Sequence, residues 1–411
     1  MVTAVLDPLA VDPTATPADV LSGPVATAPR GSTLPGPLRL GRLVVDPPVV
    51  LAPMAGVTNA AFRTLCAESG AGLYVAEMTT ARGVADRDPR TLAMLKWSPS
   101  ETVRSVQLYG VDPATVAKAV RVLTAGFGVD HVDLNFGCPV PKVTRRGGGA
   151  ALPFKRRRYA AIIETAVRAA EPAGVPVTVK TRLGIDDDHP TWSEAGRLAQ
   201  EAGAAAIALH GRTAAQHYSG EADWEPIGAL AAQLDIPVLG NGDIWDAADA
   251  KAMLARTGAA GVVVGRGCLG RPWLFRDLAA ALTGRPVPPP PRLDHVVRVL
   301  RRHAELLCRL LGEARGCAEL RKHVAWYLKG FTVPGDVRLA LGLVWSLARL
   351  DELLARIDTD QDFPEAGAGP RGRQGSPRTV ALPDHWLDDP DDFDPDDAMS
   401  LAGDEVAVSG G

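Results

Sequence analysis

Short apolar runs recur along the middle of the chain: "VVLAPM" (49–54), "LYVAEM" (73–78), "VRSVQLYG" (103–110), "HVDLNFG" (131–137), "VPVTVKTR" (175–182), "AAIALHG" (205–211), "IPVLGNGD" (236–243) and "GVVVGRG" (261–267). They are β-branched and continuous rather than alternating, the pattern of parallel strands buried on both faces. Helical stretches fill the gaps. "NAAFRTLCAESG" offers Asn59 as an N-cap, "DPATVAKAVRVLTAG" offers Asp112 with Pro113 at the first helical position, and "TWSEAGRLAQEAG" closes on Gly203. Strand then helix, eight times over, predicts an α/β chain folded as a (β/α)8 TIM barrel.

The period changes after the proline run "RPVPPPPRL" (285–293), which makes a stiff linker. Val296, Val299, Leu300, His303, Leu307, Leu310 and Leu311 fall on one helix face, and "AELRKHVAWYLKG" and "DVRLALGLVWSLARLDELLARI" supply two more helices. A small all-α helical bundle is expected after the barrel. The two ends show neither period: 1–37 is rich in Pro, Ala, Thr and Val, and 359–411 carries "DDPDDFDPDD". The expected organisation is a disordered N-terminal extension over 1–37, a barrel over 38–286, a helical domain over 287–358 and an acidic disordered tail over 359–411.

Composition adds three constraints. At 411 residues and 46% hydrophobic, the chain can bury a large core. No run of 18 apolar residues occurs and the first positive charge is Arg30, so neither a membrane span nor a secretory leader is expected, and the cytoplasm is the default location. Cys66, Cys138, Cys268, Cys308 and Cys317 are scattered without a C-x-x-C pair, which argues against a disulfide framework or a structural zinc site, and no metal is expected.

The net charge of −4 hides a division along the chain. Residues 359–411 hold 13 Asp/Glu against 3 Arg and residues 1–37 hold 3 Asp against 1 Arg, which leaves the middle at about +8. That excess suits a polyanionic partner, and it also suits many enzymes of small metabolites.

Barrel enzymes carry their chemistry at the C-terminal ends of the strands. Here the first strand ends in "APMAG", the third in Gln107, the fourth in Asn135 and Cys138, the fifth in Lys180 and Arg182, the sixth in His210, the seventh in "GNGD" and the eighth in "GRG". Asn241, Gly242 and Asp243, with Gly265 and Arg266, fall after strands seven and eight, where barrels hold phosphates on loop amides. Lys180 needs an anion, either a ligand or a barrel carboxylate. His210 is either a satisfied core histidine or a donor to a ligand carbonyl. Met78 reads as packing rather than as a contact to an aromatic cofactor, and for Met54, beside Pro53 and Ala55, the two readings stand closer. Cys138, in "DLNFGCPVPKVTRRGGG", is either a structural cysteine or a working thiol.

"APMAGVTNAAFRTLC", "VQLYG", "NFGCPVPKV", "VKTRLG", "LHGRT", "VLGNGDI", "GRGCLGRPWLF" and "RKHVAWYLKG" occur in this order. The set resembles the tRNA-dihydrouridine synthases, B-type branch, over roughly Leu38 to Ile357. The resemblance implies a flavin-dependent oxidoreductase acting on CH–CH groups. It implies FMN bound in the barrel mouth, reduced by NADPH, and reduction of the 5,6 double bond of particular uridines in tRNA. The family's FMN contacts match Pro53, Met54, Ala55, Gln107, Lys180, His210, Asn241, Gly242, Asp243, Gly265 and Arg266. Its proton-donating cysteine matches Cys138, which implies hydride transfer from flavin N5 to C6 and a proton from the thiol to C5. Asn135, Lys180, Arg182 and His210 are then expected to hold the uracil carbonyls.

The target base must be splayed out of the folded tRNA to reach such a mouth. Lys142, Arg145, Arg146 and the block Lys155 to Arg158 are expected to meet phosphates, and Arg321, Lys322 and His323 to line a second contact surface on the helical domain. Family members usually carry a less basic stretch at "FKRRR". Two rival readings are a dihydroorotate dehydrogenase-like enzyme of a free pyrimidine and a non-catalytic RNA-binding protein. A monomer is expected. Which uridine is reduced, the choice between NADPH and NADH, and the purpose of both tails are open at this point.

Overall fold

A computed structural model describes residues 34–99, 101–372 and 374–392. In it the eight apolar runs become eight staves of one parallel barrel. They are β3 (Val49–Leu51), β4 (Leu73–Tyr74) with β5 (Thr79–Thr80) as one interrupted stave, β6 (Ser105–Tyr109), β7 (His131–Phe136), β8 (Val177–Arg182), β9 (Ile207–His210), β10 (Val238–Asn241) and β11 (Gly261–Val264). The sheet closes on itself because β3 pairs with both β11 and β4, Val75 bridges Ser105, and β5 continues the pairing to β6. Closure leaves no sheet edge open to another chain.

Alternate residues of each stave face opposite ways. Leu51, Val106, Val132, Val179, Leu209 and Val264 pack outward against the helices. Val50, Leu73, Val75, Ala208, Leu239 and Val263 pack inward. A hairpin not foreseen in the sequence, β1 (Leu38–Leu40) with β2 (Leu43–Val45), adds Leu38, Leu40 and Val45 to that inner cluster and plugs it. Above the plug the inner face turns polar, from Ser105, His131 and Thr178 near the strand starts to the groups at the strand ends.

The helical domain forms behind the linker, with helices Leu293–Leu311, Glu313–Tyr327, Gly335–Leu341 and Leu347–Leu354. The last two replace the single helix expected from "DVRLALGLVWSLARLDELLARI". Ser346 starts a new helix there, its hydroxyl accepting from the Arg349 amide at 3.2 Å. The first two helices cross closely because residue 316 is glycine: a Cβ there would lie 2.6 Å from the Cys308 backbone. The domain is fixed to the barrel through helix Ala60–Glu68. Phe62 packs 5.5 Å from the His303 ring and 5.9 Å from the His323 ring, and Arg302 pairs with Glu68 at 2.6 Å.

His323 is fully buried and neither ring nitrogen has a hydrogen-bond partner, so it is removed from the expected RNA surface. Burial drives the His323 pKa well below the ordinary imidazole value, and pushes His303 down to about 3 and the barrel's His131 down to about 4. Cys308 and Cys317 lie with sulfurs 3.8 Å apart between the same two helices, and Cys66 and Cys268 are buried in the barrel wall.

The disorder expected from Thr359 is corrected over residues 359–372 and 374–392. Val380, Leu382 and Leu387 pack on the barrel core, and Arg371 and Trp386 are buried against it. Average composition over the tail is polar and acidic, but these few anchors suffice to dock it. Residues 1–33 and 393–411, on which the remaining expectations of disorder fall, lie outside the described residues. Among the described residues no helix is long and apolar enough to cross a membrane, and no group of three His, Cys, Asp or Glu is placed to hold a metal.

Two outcomes follow for stability. The buried histidines fold as neutral rings, so the stability they allow is whole above the unfolded pKa of about 6.5 and is lost as pH falls through the folded values. The unfolding midpoint should therefore fall between pH 6.5 and 4, and His323→Leu should flatten that fall in thermal scans at several pH values. Gly316→Ala would stabilise an open helix by up to ~1 kcal/mol. Here it should instead lower the midpoint, because the added methyl meets the Cys308 backbone.

Candidate active site

The inward-facing residues of β6, β7 and β8 form a hydrogen-bonded ladder that climbs the inside of the barrel. Ser105 Oγ lies 2.7 Å from His131 Nδ1, and His131 Nε2 lies 2.9 Å from Thr178 Oγ1. Thr178 donates to Asp133 Oδ1 at 2.6 Å, and Gln107 Nε2 donates to Asp133 Oδ2 at 2.7 Å. Because the Thr178 proton is committed to Asp133, Thr178 must accept from His131, which sets the tautomer with the proton on Nε2. Burial raises the Asp133 pKa to about 6, opposed by its hydrogen bonds from Thr178 and Gln107 and by the Lys180 charge.

The ladder ends on Asn135. Its Nδ2 donates to Gln107 Oε1 at 2.8 Å and contacts Met78 Sδ at 3.3 Å, while its Oδ1 accepts from the amides of Gly137 at 3.0 Å and Cys138 at 2.9 Å. Asn135 thus shapes the turn that carries Cys138. That corrects the expectation that it holds a uracil carbonyl, since its amide is already fully engaged. Met78, read as packing, is a contact of the same turn.

Cys138 stands half-buried at the end of β7. Burial pushes its thiol above the ordinary value, against smaller lowering effects from the Val140 amide and Arg182. The thiol is therefore neutral and carries its proton at physiological pH.

Lys180 and Arg182 point inward from β8 beside it. Lys180 Nζ donates to Asn241 Oδ1 at 2.7 Å, and Asn241 Nδ2 donates to the Val263 carbonyl at 2.7 Å. Among the described residues Lys180 makes no ion pair, so the barrel-carboxylate alternative does not hold. Burial, followed by repulsion from Arg182, brings its pKa down to about 8. Arg182 Nε donates to Gly137 O at 2.8 Å, and its Nη1 donates to Thr213 O at 3.1 Å and His217 O at 2.9 Å. Its Nη2 has no acceptor among the described residues and remains a donor for a ligand.

His210, at the end of β9, is buried, and no group among the described residues hydrogen-bonds its ring. Burial and the neighbouring arginines and lysine hold its pKa well below the ordinary value, so it is a neutral imidazole. Gly242, at φ 128°, lies against that ring: a Cβ there would be 3.2 Å from His210 Cδ2 and 2.6 Å from Ala222.

Asp243 differs from its expected role. Its carboxylate accepts from Arg212 at 2.8 and 2.7 Å, from Arg266 at 3.2 Å and from the Ala222 amide at 2.7 Å. It has no lone pair left for a cofactor and acts by holding two arginines. Arg212 was not singled out in the sequence, although "LHGRT" contains it. It is buried, and its remaining donors reach Ser219 O at 3.0 Å and Gly220 O at 2.6 Å. Tyr218, also missed, stacks between Arg182 and Arg266, with their guanidinium carbons 5.5 and 4.8 Å from its ring centroid. Only the unexpected density of arginines after strands five, six and eight hinted at it.

On the opposite rim, Pro53, Met54 and Ala55 follow β3 in a turn closed by the Met54 carbonyl, which accepts from the amides of Val57 at 2.9 Å and Thr58 at 3.0 Å. Met54 Sδ would lie 3.8 Å from a Cβ on Gly265, so the first and eighth stave ends meet there. The mouth therefore combines two cations without ion-pair partners among the described residues, Lys180 and Arg182 with its free guanidinium edge, an unbonded neutral imidazole and a protonated thiol. Gly242 and Gly265 bring the backbone close beside them. A planar anionic ligand fits that donor set, and a phosphate fits the Arg266 side.

The basic block divides. Arg156 and Arg157 are exposed, but Lys155 and Arg158 are buried beneath Trp386, which corrects the expectation that the whole block meets phosphates. Lys142 and Arg145 remain exposed beside the Cys138 turn.

The Dihydrouridine synthase (Dus) family model matches residues 50–357. A probable tRNA-dihydrouridine synthase of Mycobacterium tuberculosis (strain H37Rv) is 56% identical over 372 residues, covering 88% of this chain and 96% of that protein. The tRNA-dihydrouridine synthase B of Xanthomonas axonopodis pv. citri is 40% identical over 311 residues, covering 73% of this chain and 90% of that protein. A probable tRNA-dihydrouridine synthase of Rhodobacter capsulatus is 40% identical over 298 residues, covering 72% and 91%. The match runs through every strand end described above and on into the helical domain, and the chain belongs to the dihydrouridine synthase family.

Proposed function

We propose that the chain reduces the 5,6 double bond of particular uridines in tRNA to dihydrouridine, with FMN as its flavin, NADPH as reductant and Cys138 as proton donor. Family membership makes it an oxidoreductase. The observation that carries the finer reading is the pairing, in one barrel mouth, of a protonated thiol with Lys180 and Arg182, cations that have no carboxylate partner among the described residues.

Gln107, Lys180, Arg266 and the backbone at Gly242 and Gly265 would hold FMN, whose reduced form supplies the hydride for C6 of the uracil. Arg266 is held ready for the phosphate by Asp243 and by stacking on Tyr218 and Trp245, with its guanidinium carbon 5.2 Å from the Trp245 centroid. Asn241 holds Lys180 upright, and Pro53, Met54 and Ala55 close the facing wall. Arg182 Nη2 and His210 offer hydrogen-bonding groups to the uracil carbonyls, where negative charge grows as C6 is reduced. Cys138 Sγ holds the proton for C5, and its raised pKa keeps that proton in place until the carbon becomes basic enough to take it.

The target is a base splayed from a folded RNA, and the exposed Lys142 and Arg145 would meet phosphates around it. The helical domain extends that surface: Lys322 Nζ would lie 3.6 Å from a Cβ on Gly56, at the rim of the mouth.

Anaerobic single turnover tests the reading. NADPH-reduced protein should be reoxidised by unmodified tRNA with formation of dihydrouridine, and not by uridine monophosphate or another free pyrimidine; the reverse would make this an enzyme of a small substrate. Cys138→Ala should keep its yellow flavin and its NADPH oxidation by oxygen, while dihydrouridine formation falls by about 100-fold or more. Binding should report Lys180 separately. The ammonium must be charged to hold the flavin, so FMN affinity should be flat from about pH 7 to 8, above the second phosphate ionisation, and weaken as pH rises past about 8. In Lys180→Met the affinity should be lower and no longer follow pH across that range, as read by fluorescence titration.

A further inference from the structure

Beyond the helical domain, residues 361–372 and 374–392 cross three loops at the C-terminal ends of the barrel strands in turn. Arg371 donates to Leu269 O at 2.9 Å, after β11, and to Trp326 O at 2.7 Å. Gly372 lies beside Arg266, whose Cδ would be 3.4 Å from a Cβ on that glycine. The Arg378 amide donates to Ala215 O at 2.9 Å, after β9. The strap then reaches the loop after β7, the loop that opens with Cys138.

Trp386 is its anchor there. Its Nε1 donates to Ala151 O at 3.1 Å, and its ring sits so close to Gly147 that a Cβ on that residue would lie 2.2 Å from a ring carbon. Lys155 and Arg158 stack on the ring, with the Lys155 ammonium 5.2 Å and the Arg158 guanidinium carbon 5.8 Å from its centroid. Lys155 Nζ also donates to Asp389 O at 2.6 Å, and the Arg156 amide donates to Pro390 O at 2.9 Å. The accompanying ion pairs, Lys155 with Asp392 at 3.8 Å and Arg156 with Asp391 at 3.6 Å, are long and partly exposed and contribute little. Trp386 and the backbone bonds hold the strap.

The loop that Trp386 grips also grips Cys138 from its other side. The Ala150 amide donates to the Cys138 carbonyl at 3.0 Å. Gly149, at φ 55°, leaves no room for a side chain, because its Cβ would be 2.4 Å from that carbonyl oxygen. Gly147 to Ala151 are buried. A close-packed turn of this kind transmits a shift rather than absorbing it. Movement at Gly147 or Ala151 displaces the Cys138 backbone.

We propose that Trp386 is a positioning residue for Cys138: docking of the C-terminal strap on the Gly147–Ala151 turn sets where the thiol sits in the mouth. The basic block then serves as the seat of the strap, with Lys155 and Arg158 committed to it. The proposal rests on the reading of Cys138 as proton donor.

The test uses the full chain with FMN, comparing wild type with W386A and W386F. Three quantities are read: kcat and KM for dihydrouridine formation on tRNA, NADPH oxidation by oxygen, and the rate of Cys138 alkylation by iodoacetamide followed by peptide mass. W386A is expected to lower kcat by about 10- to 100-fold, with KM for tRNA and NADPH oxidation close to wild type. It should also change the Cys138 alkylation rate by about threefold or more, in either direction. W386F keeps an aromatic ring in the site but loses the Ala151 bond and the outer indole edge (Cζ2, Cζ3, Cη2) that meets Gly147, so its kcat should fall between W386A and wild type; it also carries the test if W386A does not fold. Unchanged kcat and alkylation would overturn the proposal. So would a rise in KM alone, which would make the strap an RNA contact, or equal loss of NADPH oxidation, which would make it a general brace. If Cys138→Ala keeps full activity on tRNA, the proton-donor reading fails instead, and the alkylation rate still decides whether Trp386 sets the position of the thiol.

Discussion

Burying cations without carboxylates to neutralise them is the constraint on which this mouth depends. A charge taken out of water into a barrel interior is costly unless hydrogen bonds or a counter-charge compensate. Arg212 and Arg266 are compensated by Asp243, and that carboxylate is saturated by them. Lys180 is hydrogen-bonded only to the neutral amide of Asn241, with Asp133 acting on it at longer range, and Arg182 mainly to backbone carbonyls. Burial, followed by repulsion from Arg182, is what lowers the Lys180 pKa. The fold tolerates the deficit because the closed barrel holds these side chains rigidly, and the deficit suits the mouth to a negatively charged ligand.

The rest of the interior is arranged to keep the thiol uncharged and well placed beside those cations. A hydrogen-bonded ladder from Ser105 through His131, Thr178, Asp133 and Gln107 ends at Asn135, which builds the Cys138 turn with its side-chain oxygen. Arg182 binds the carbonyl of Gly137 in the same turn. From the outer side, Gly147 to Ala151 pack against Cys138, with Trp386 packed against them in turn. The cysteine is therefore held from three directions by elements far apart in the chain. Such over-determination suits the proton-donor role proposed for the thiol.

The helical domain and the strap show how the chain extends this rigidity outward. Phe62, His303 and His323 lock the bundle to the first barrel helix with buried rings rather than with surface charge. The surface left near the mouth, with Lys142, Arg145 and Lys322, is a modest positive rim. That is enough to orient a polyanion whose shape, rather than its sequence, is read.

What the sequence determines by itself follows from local periodicity. Eight continuous β-branched runs alternating with capped helices specify the barrel, and the two-residue repeat of a strand puts Gln107, Asn135, Lys180, His210 and Asn241 on its inner face. The ordered motifs around Cys138, "NGD" and "GRG" locate the mouth, and the change of period after "RPVPPPPRL" marks the helical domain. Tertiary structure alone decides how each group is used. Asp243 is consumed by Arg212 and Arg266, Asn135 turns from ligand contact to turn builder, and His323 disappears into the core. The acidic tail expected to be disordered supplies Trp386, which meets Ala151 across 235 residues of chain. No local pattern encodes such contacts, because a hydrogen bond or a van der Waals contact depends on which surfaces the folded barrel brings within a few ångströms, and composition averaged over a tail cannot show that one buried ring outweighs many solvated carboxylates.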